Sequence, residues 1–295
     1  MLDENLRPTL QSFLEKAADP KEAAYILFGA PLDVTASYRR GSRFAPAAIR
    51  RESQYLESYS ARTGLDWSDL SLVDVGDLSC GDLGGALTQI EGLVKKIHES
   101  EKIPVILGGE HTVTLGALRA LKPETVIVFD AHLDLRDTLF DEKLCHATYL
   151  RRAYEELGFK LVILGARAIS SEELGFAEGE DRIRVVTARE LASKGVQYGM
   201  KAVSEALRGV SSAYLSIDMD VVDPSQAPAV GNPSPEGLNV TDLLDLVGGF
   251  MDKRFVGFDL TEVSPFYDSG LTSVQAAYVV LETLYSFEAA RRRRA

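Results

Sequence analysis

Short apolar runs of about five residues recur along the chain, each separated from the next by an amphipathic stretch, and this rhythm restricts the fold more than any other feature. The runs are Ala24 to Phe28, Ser71 to Val75, Ile103 to Leu107, Thr125 to Phe129, Lys160 to Leu164, Ile183 to Val186, Ala213 to Ile217 and Arg254 to Phe258. Helices are predicted over Pro46 to Ser58, Gly85 to Glu99, Val113 to Leu121, His146 to Leu157, Ala188 to Ser193, Met200 to Gly209, Val240 to Lys253 and Ser273 to Arg293. Such alternation is the signature of a mainly parallel sheet, here about eight-stranded, covered by helices on both faces. Neither a Pro/Ser-rich linker nor a repeat interrupts the 295 residues, so a single α/β domain over residues 1–295 is expected.

With 45% hydrophobic residues the chain can bury a large core, and its net charge of -12 opposes sequence-independent binding of nucleic acid or an anionic membrane. A small cation suits that field better. The basic run Arg291 to Arg294 is expected to be a solvated helix end. The two cysteines, Cys80 and Cys145, have no CxxC partner, which disfavours a disulfide framework or a thiolate zinc site and fits a reducing compartment. No basic start with an apolar stretch occurs over Met1 to Pro8, and no segment approaches about 18 uninterrupted apolar residues, so a cytoplasmic location is expected.

The polar residues fall in telling places. Gly108-Gly109-Glu110-His111, Asp130-Ala131-His132 and Asp218-Met219-Asp220 each follow a strand candidate directly. In open α/β sheets the ligand crevice lies outside the carboxyl ends of the strands, so three strands point at one site. Asp130, His132 and Asp134 alternate with apolar residues and would share one face of an extended segment. Alone, such a triplet could equally serve turns and caps. Asp218 and Asp220 repeat the alternation after a second strand and His111 stands after a third, giving two imidazoles and four carboxylates.

Four gathered carboxylates repel one another unless cations neutralise them. The oxygen-rich, thiolate-free set suits two Mn²⁺ ions, with Co²⁺, Ni²⁺ or Zn²⁺ as substitutes. A metal pair lowers the pKa of a shared water toward neutrality, which matters for an electrophile as poor as a guanidinium carbon. Of the two other histidines, His98 reads as a solvated helix residue, whereas His146 is either a proton shuttle to a departing amine or a helix cap. Glu262 follows another strand candidate and is either a planar two-point partner for a guanidinium or a surface loop residue.

These residues resemble the motifs of the ureohydrolase family of arginases, agmatinases, guanidinobutyrases and formimidoylglutamases. Gly108-Gly109-Glu110-His111 is similar to its first motif and Phe129-Asp130-Ala131-His132-Leu133-Asp134 to its second. Leu215-Ser216-Ile217-Asp218-Met219-Asp220, followed by Pro224, Pro228 and Gly237, keeps the order and spacing of its third. Gly29-Ala30-Pro31-Leu32-Asp33 and Gly41-Ser42-Arg43-Phe44-Ala45-Pro46 look like its N-terminal signature. The resemblance implies a three-layer αβα domain, assembled as a trimer or hexamer, with one Mn²⁺ on His111, Asp130, Asp134 and Asp218 and a second on His132, Asp130, Asp218 and Asp220. It further implies catalytic roles for Asp134, for His146 as proton shuttle and for Glu262 as the carboxylate that orients the guanidinium.

Leu135-Arg136-Asp137 resembles the Asp-Leu-Arg-Asp run of agmatinases and departs from the Asn-centred segment with which arginases hold an α-amino acid. The expected reaction is therefore hydrolysis of agmatine to putrescine and urea. N1-aminopropylagmatine, then arginine or guanidinobutyrate, are the alternative substrates. Arg136, Asp137 and Glu236 are candidate substrate contacts, and an acidic rim of Asp137, Asp141, Glu142 and Glu236 would attract a distal amine or else be solvated loop charge. A single-zinc deacylase of related fold and a member without turnover are the readings from other classes; the paired metal triplets oppose the first and the complete set of candidate residues the second.

Overall fold

The computed structural model describes residues 4–15 and 19–293. Arg294, the last of the expected basic run, lies outside them; Arg292 pairs with Glu288 and Asp69 at the end of the last helix. A two-residue strand β1 (Leu6–Arg7) opens the sheet, a piece too short to leave a periodic signal in the sequence. The eight expected runs follow as β2 (Tyr25–Ala30), β3 (Leu72–Leu78), β4 (Ile103–Gly108), β5 (Thr125–Phe129), β6 (Lys160–Ala166), β7 (Ile183–Thr187), β8 (Ala213–Asp218) and β9 (Phe255–Thr261). Their order across the sheet is β1-β3-β2-β4-β9-β8-β5-β6-β7, and only the β1–β3 pair is antiparallel.

The helices are α1 (Ala45–Ser53), α2 (Leu83–Glu99), α3 (Val113–Leu121), α4 (Tyr149–Leu157), α5 (Ser171–Glu178), α6 (Ala188–Lys194), α7 (Val196–Ala206), α8 (Val240–Phe250) and α9 (Leu271–Arg292). Successive side chains of a strand point to opposite faces, and the core divides accordingly. Leu27, Val105, Leu107, Ile127, Phe129, Leu215 and Ile217 pack with α1 and α6 to α9. Ile26, Phe28, Ile106, Val126, Val128 and Ile163 pack with α2 to α5. The result is a three-layer αβα sandwich around one sheet, the expected class.

Several boundaries differ from the expectation. The helix expected from Pro46 to Ser58 stops at Ser53, where Ser53 Oγ and Gln54 Nε2 donate to the Arg50 carbonyl and close its last turn. The one expected from Val240 to Lys253 ends at Phe250, because Met251 is extended. α4 starts at Tyr149, which leaves His146 in the preceding turn. α5 was not expected at all: it lacks a one-sided apolar stripe, although its capping box, Ser170 with Glu173, is a readable start signal.

The position of the site follows from the strand order. The chain visits β4, β5, β8 and β9 in that sequence, yet β4, β9, β8 and β5 lie side by side in mid-sheet, so four polar strand ends converge.

At the other flank of the sheet, Arg50 on α1 is buried and spans two carboxylates of β3, with Nε 2.7 Å from Asp74 and Nη1 2.5 Å from Asp77. Asp74 also accepts the Phe13 amide, so the triad ties the N-terminal segment and α1 to the sheet. Removing one partner of a buried ion pair strands the other charge. Arg50→Ala is therefore expected to lose about 3 to 5 kcal/mol of unfolding free energy, read from urea melts; a loss below about 1 kcal/mol would show the triad to be energetically idle.

Candidate metal centre

Each strand end delivers its residue through a specific local device. After β4 the backbone passes so close to Leu32 that a Cβ on Gly109 would lie 2.0 Å from the Leu32 carbonyl oxygen; only glycine fits. The next residue, Glu110, is fully buried and accepts from the amides of Val34 and Thr35 at 2.6 and 2.7 Å and from both Thr35 and Thr112 hydroxyls at 2.7 Å. It thereby anchors the 33–35 loop over the site. His111 follows, its amide held at 2.7 Å by Glu262 Oε1 from the end of β9. Beyond β8, Asp218 Oδ1 accepts from the Asp220 amide at 2.7 Å, and Asp220 Oδ1 accepts from the Ala131 amide at 3.0 Å, which ties the β8 end to the β5 end.

Asp134 and Glu262 have φ of 51° and 65°, left-handed values that are uncommon for residues with a side chain. Both line the same cavity, and such departures concentrate at functional sites.

The six candidate ligands come together as two clusters. His111 Nδ1 lies 3.2 Å from Asp130 Oδ2, 3.3 Å from Asp218 Oδ2 and 3.4 Å from Asp134 Oδ2. His132 Nδ1 lies 2.9 Å from Asp220 Oδ2 and 3.5 Å from Asp130 Oδ1. Asp130 thus faces one imidazole with each oxygen. Two buried atoms of the first cluster, His111 Nδ1 and Asp130 Oδ2, find no hydrogen-bond partner among the described residues. Buried polar atoms left in this way call for an unplaced ion or water. The groups His111, Asp130, Asp134 and Asp130, His132, Asp220 each have ligand atoms close enough to share one cation, and an N/O donor set without sulfur is of the right chemistry for a divalent ion.

The protonation pattern of these groups by themselves shows what a cation relieves. Burial opposes charge on His111, but Tyr149 and the carboxylates of Asp130, Asp134 and Asp218 outweigh it and hold the imidazole well above its ordinary value. His132 is raised likewise: burial is overcome by Asp220 and Asp130. Burial, with the Asp130 charge beside it, pushes Asp134 up to about 7 and, with Asp220 and Asp130 beside it, raises Asp218 well above the carboxylate range. Glu262 is pushed up to about 8, chiefly by burial and against the donated His111 amide. For Asp130 alone the imidazoles outweigh burial and pull it down.

A cavity of about 160 Å³ opens onto the clusters, lined by Asp134, Asp218, Asp220 and Glu262 at depth and by Ser37, Arg136, His146 and Asn232 further out. His146 Nε2 lies 3.0 Å from Ser37 Oγ, its amide donates to Thr35 Oγ1 at 2.9 Å, and burial lowers its pKa. Arg136 also lines the cavity, 3.6 Å from Glu173. The acidic rim does not gather there. Asp137, Asp141, Glu142 and Glu236 are exposed and none lines the cavity, and Asp137 is drawn to α4 by Arg152 at 2.8 Å and Arg151 at 3.8 Å.

Residues that carried no role in the sequence reading surround the clusters. Besides Glu110, they are Ser216 and Asp259 behind His111, and Arg167, whose guanidinium donates to the carbonyls of Asp220 at 2.7 Å, Ser234 at 2.8 Å and Pro235 at 2.9 Å. A lone Asp inside the apolar run of β9 was the available signal, since a buried carboxylate always needs donors.

A three-layer αβα sandwich with two His/Asp clusters at its central strand ends is the arrangement of a metal-dependent hydrolase of the arginase-like class. The arginase family model matches residues 23–285, and the chain belongs to that family. It is 38% identical over 251 residues to an N(1)-aminopropylagmatine ureohydrolase of Thermococcus kodakarensis, covering 83% of this chain and 84% of the relative. It is 36% identical over 290 residues to a guanidinobutyrase of Pseudomonas aeruginosa, covering 94% and 89%. The solved agmatine ureohydrolase of Thermoplasma volcanium superposes with a TM-score of 0.88 at 35% identity, over 97% of each chain. The protein is thus an enzyme that acts on guanidino groups, from a family dependent on a binuclear metal centre, and the single-zinc deacylase reading falls away.

Metal binding must displace the protons that these buried groups hold. With both imidazoles raised and Asp134 near 7, the metal-free site is protonated at low pH and sheds protons as pH rises, so divalent-ion affinity should climb steeply between pH 6 and 8. Calorimetry with Mn²⁺ in buffers of different ionisation enthalpy should show about one proton or more released per ion near pH 7. Affinity flat across that range, with no proton release, would contradict the clustering of these groups around the ions.

Proposed function

We propose that the protein hydrolyses agmatine to putrescine and urea with two Mn²⁺ ions. The observation that carries this reading is the convergence of six buried or half-buried His and Asp side chains on two points sharing Asp130, at the floor of a cavity in a chain of this family. His111, Asp130, Asp134 and Asp218 would hold one ion, and His132, Asp130, Asp218 and Asp220 the other. The ions supply a water of lowered pKa and compensate the four carboxylates.

The chain's own groups do the rest. Glu262 commits Oε1 to the His111 amide and keeps Oε2 for the guanidinium; a Cβ on Gly231 would lie 2.8 Å from that oxygen, so glycine leaves it room. Asp134, which lines the cavity beside His111, would orient the attacking water and accept its proton. His146, kept largely neutral by burial and steadied by Ser37 and Thr35, carries a proton to the departing amine.

For the remainder of the substrate, the relatives named for agmatine and aminopropylagmatine support a chain ending in an amine. A second reading rests on Arg136: with the acids of the expected rim elsewhere, a cation lines the cavity, and it would suit a carboxylate-ended guanidine such as guanidinobutyrate. A cytoplasmic homo-oligomer, trimer or hexamer, belongs to the same reading. Exposed aromatic residues such as Tyr38, Phe44 and Phe266 support an assembly of copies.

A urea-release screen of Mn²⁺-loaded protein over agmatine, aminopropylagmatine, arginine, guanidinobutyrate and formimidoylglutamate tests the assignment. Agmatine should lead. Guanidinobutyrate in the lead, with a preference that falls roughly 10- to 100-fold in Arg136→Ala, would move the assignment to the second reading. Arginine in the lead would overturn both.

His146→Ala should keep both ions and lower kcat by ~10²- to 10⁴-fold, the usual loss on removing a positioned acid or base. Collapse of metal content in this variant would make His146 a determinant of the fold or of the metal site, and the shuttle role would be withdrawn.

A further inference from the structure

Behind the first cluster runs a chain of hydrogen bonds that ends on a charge. His111 turns Nδ1 toward the three carboxylates and Nε2 the other way, 2.8 Å from Ser216 Oγ and 2.9 Å from the Tyr149 hydroxyl. Ser216 Oγ in turn lies 2.6 Å from Asp259 Oδ1, and the Tyr214 hydroxyl lies 2.7 Å from Asp259 Oδ2. Ser216, Asp259 and Tyr214 are all fully buried, so no water competes for these bonds.

Counting protons fixes the direction of the chain. A carboxylate only accepts, and both Asp259 oxygens are engaged by hydroxyls. The single Ser216 proton therefore goes to Asp259, and Ser216 can only accept from His111. Nε2 then carries the hydrogen it donates to Ser216, and once the site has shed its displaceable protons the Nδ1 lone pair faces Asp130, Asp134 and Asp218. This is the one tautomer able to bind a cation there. The orphaned state of Nδ1 among the described residues agrees with it. Thr114 Oγ1, 3.4 Å from Ser216, is too distant to supply a strong alternative donor.

We infer that Asp259, acting through Ser216, is a positioning residue that fixes the His111 tautomer and ring orientation for the first metal ion, so that a ligand at the end of β4 depends on side chains within β8 and β9. The inference rests on the metal-centre reading above, but its readout is separate from turnover. Tyr149 touches the same nitrogen, yet among the described residues its hydroxyl bonds only His111 and has no carboxylate behind it.

Mn²⁺ titration of metal-free protein by calorimetry, with circular dichroism to verify folding, tests the relay. Ser216→Ala should weaken one of the two ions by roughly 10- to 100-fold, as is usual when a partner of a ligand is lost, and leave the other within about threefold. Asp259→Asn keeps the shape but can present an N–H to Ser216 Oγ; Ser216 then aims its own proton at Nε2 and opposes the required tautomer. It should weaken the same ion by a similar factor, and it reads the relay even if Ser216→Ala does not fold. Tyr149→Phe should change neither ion by more than about threefold. Affinities near wild type in Asp259→Asn, equal weakening of both ions, or a Tyr149→Phe loss as large as that of Ser216→Ala would each overturn the relay. Should wild-type protein bind no ion pair at all, the metal-centre reading fails first, before the relay is reached.

Discussion

Like charges packed together away from water are the constraint around which this molecule is arranged. Asp130, Asp134, Asp218 and Asp220 are buried within hydrogen-bonding range of two imidazoles, with Glu110 and Glu262 close behind. No packing of apolar residues could make that arrangement favourable. The upward shifts of Asp134, Asp218 and Glu262 state the cost in protons, and a pair of divalent ions at the two clusters would relieve it. Ions held there would stabilise the folded state as well as supply chemistry, because a preformed cluster of this kind does not exist in the unfolded chain.

What the polypeptide contributes is rigidity at four strand ends. Parallel strands carry their side chains to one edge of the sheet, but the turns that leave them must be held against electrostatic repulsion. Gly109 permits the close pass beside Leu32, Glu110 takes three donors from the neighbouring loop and a fourth from Thr112, and Arg167 clips the carbonyls beyond β8. Asp134 and Glu262 sit at left-handed φ beside this network, and Glu262 is held by the His111 amide. The buried acids thus do two kinds of work: some face the cavity, and others, such as Glu110, spend all their acceptor capacity on backbone and hydroxyl donors.

How much of this was legible before the structure depends on whether a residue's task shows in its neighbours along the chain. Buried strands leave mainly apolar runs, so β2 to β9 could be read, and His111, Asp130, His132, Asp134, Asp218 and Asp220 stood out as candidates because they cluster just after such runs. β1 left no trace in two residues, and α5 signalled only through its cap. The roles of Ser216 and Asp259 were hidden for a different reason: each is polar within an apolar strand, but their partnership joins β8 to β9 across 43 residues of sequence. For the acidic rim the two readings, attraction of a distal amine or solvated loop charge, stayed open in the sequence because a count of nearby carboxylates cannot show that Asp137 turns to Arg152 on α4.

The division between floor and mouth also explains why family membership was easier to reach than substrate. At the floor, the candidate ligands lie within hydrogen-bonding range of one another, so a change in one disturbs the rest. At the mouth, Arg136 is half-exposed and its contact with Glu173 is only 3.6 Å, while Glu173 is itself held by the Ser170 hydroxyl at 2.6 Å and the Leu135 amide at 3.2 Å. The acid is therefore held by several donors, whereas this one loose contact is the ion pair of the guanidinium among the described residues. An amine-ended substrate gains if Arg136 stays on Glu173, which removes a like charge from the cavity; a carboxylate-ended substrate gains if Arg136 leaves it, at the cost of a loose, partly screened ion pair worth about 1 kcal/mol or less. So small a difference lets one or two substitutions at the mouth redirect specificity, whereas the floor, bound by charge compensation, stays the same.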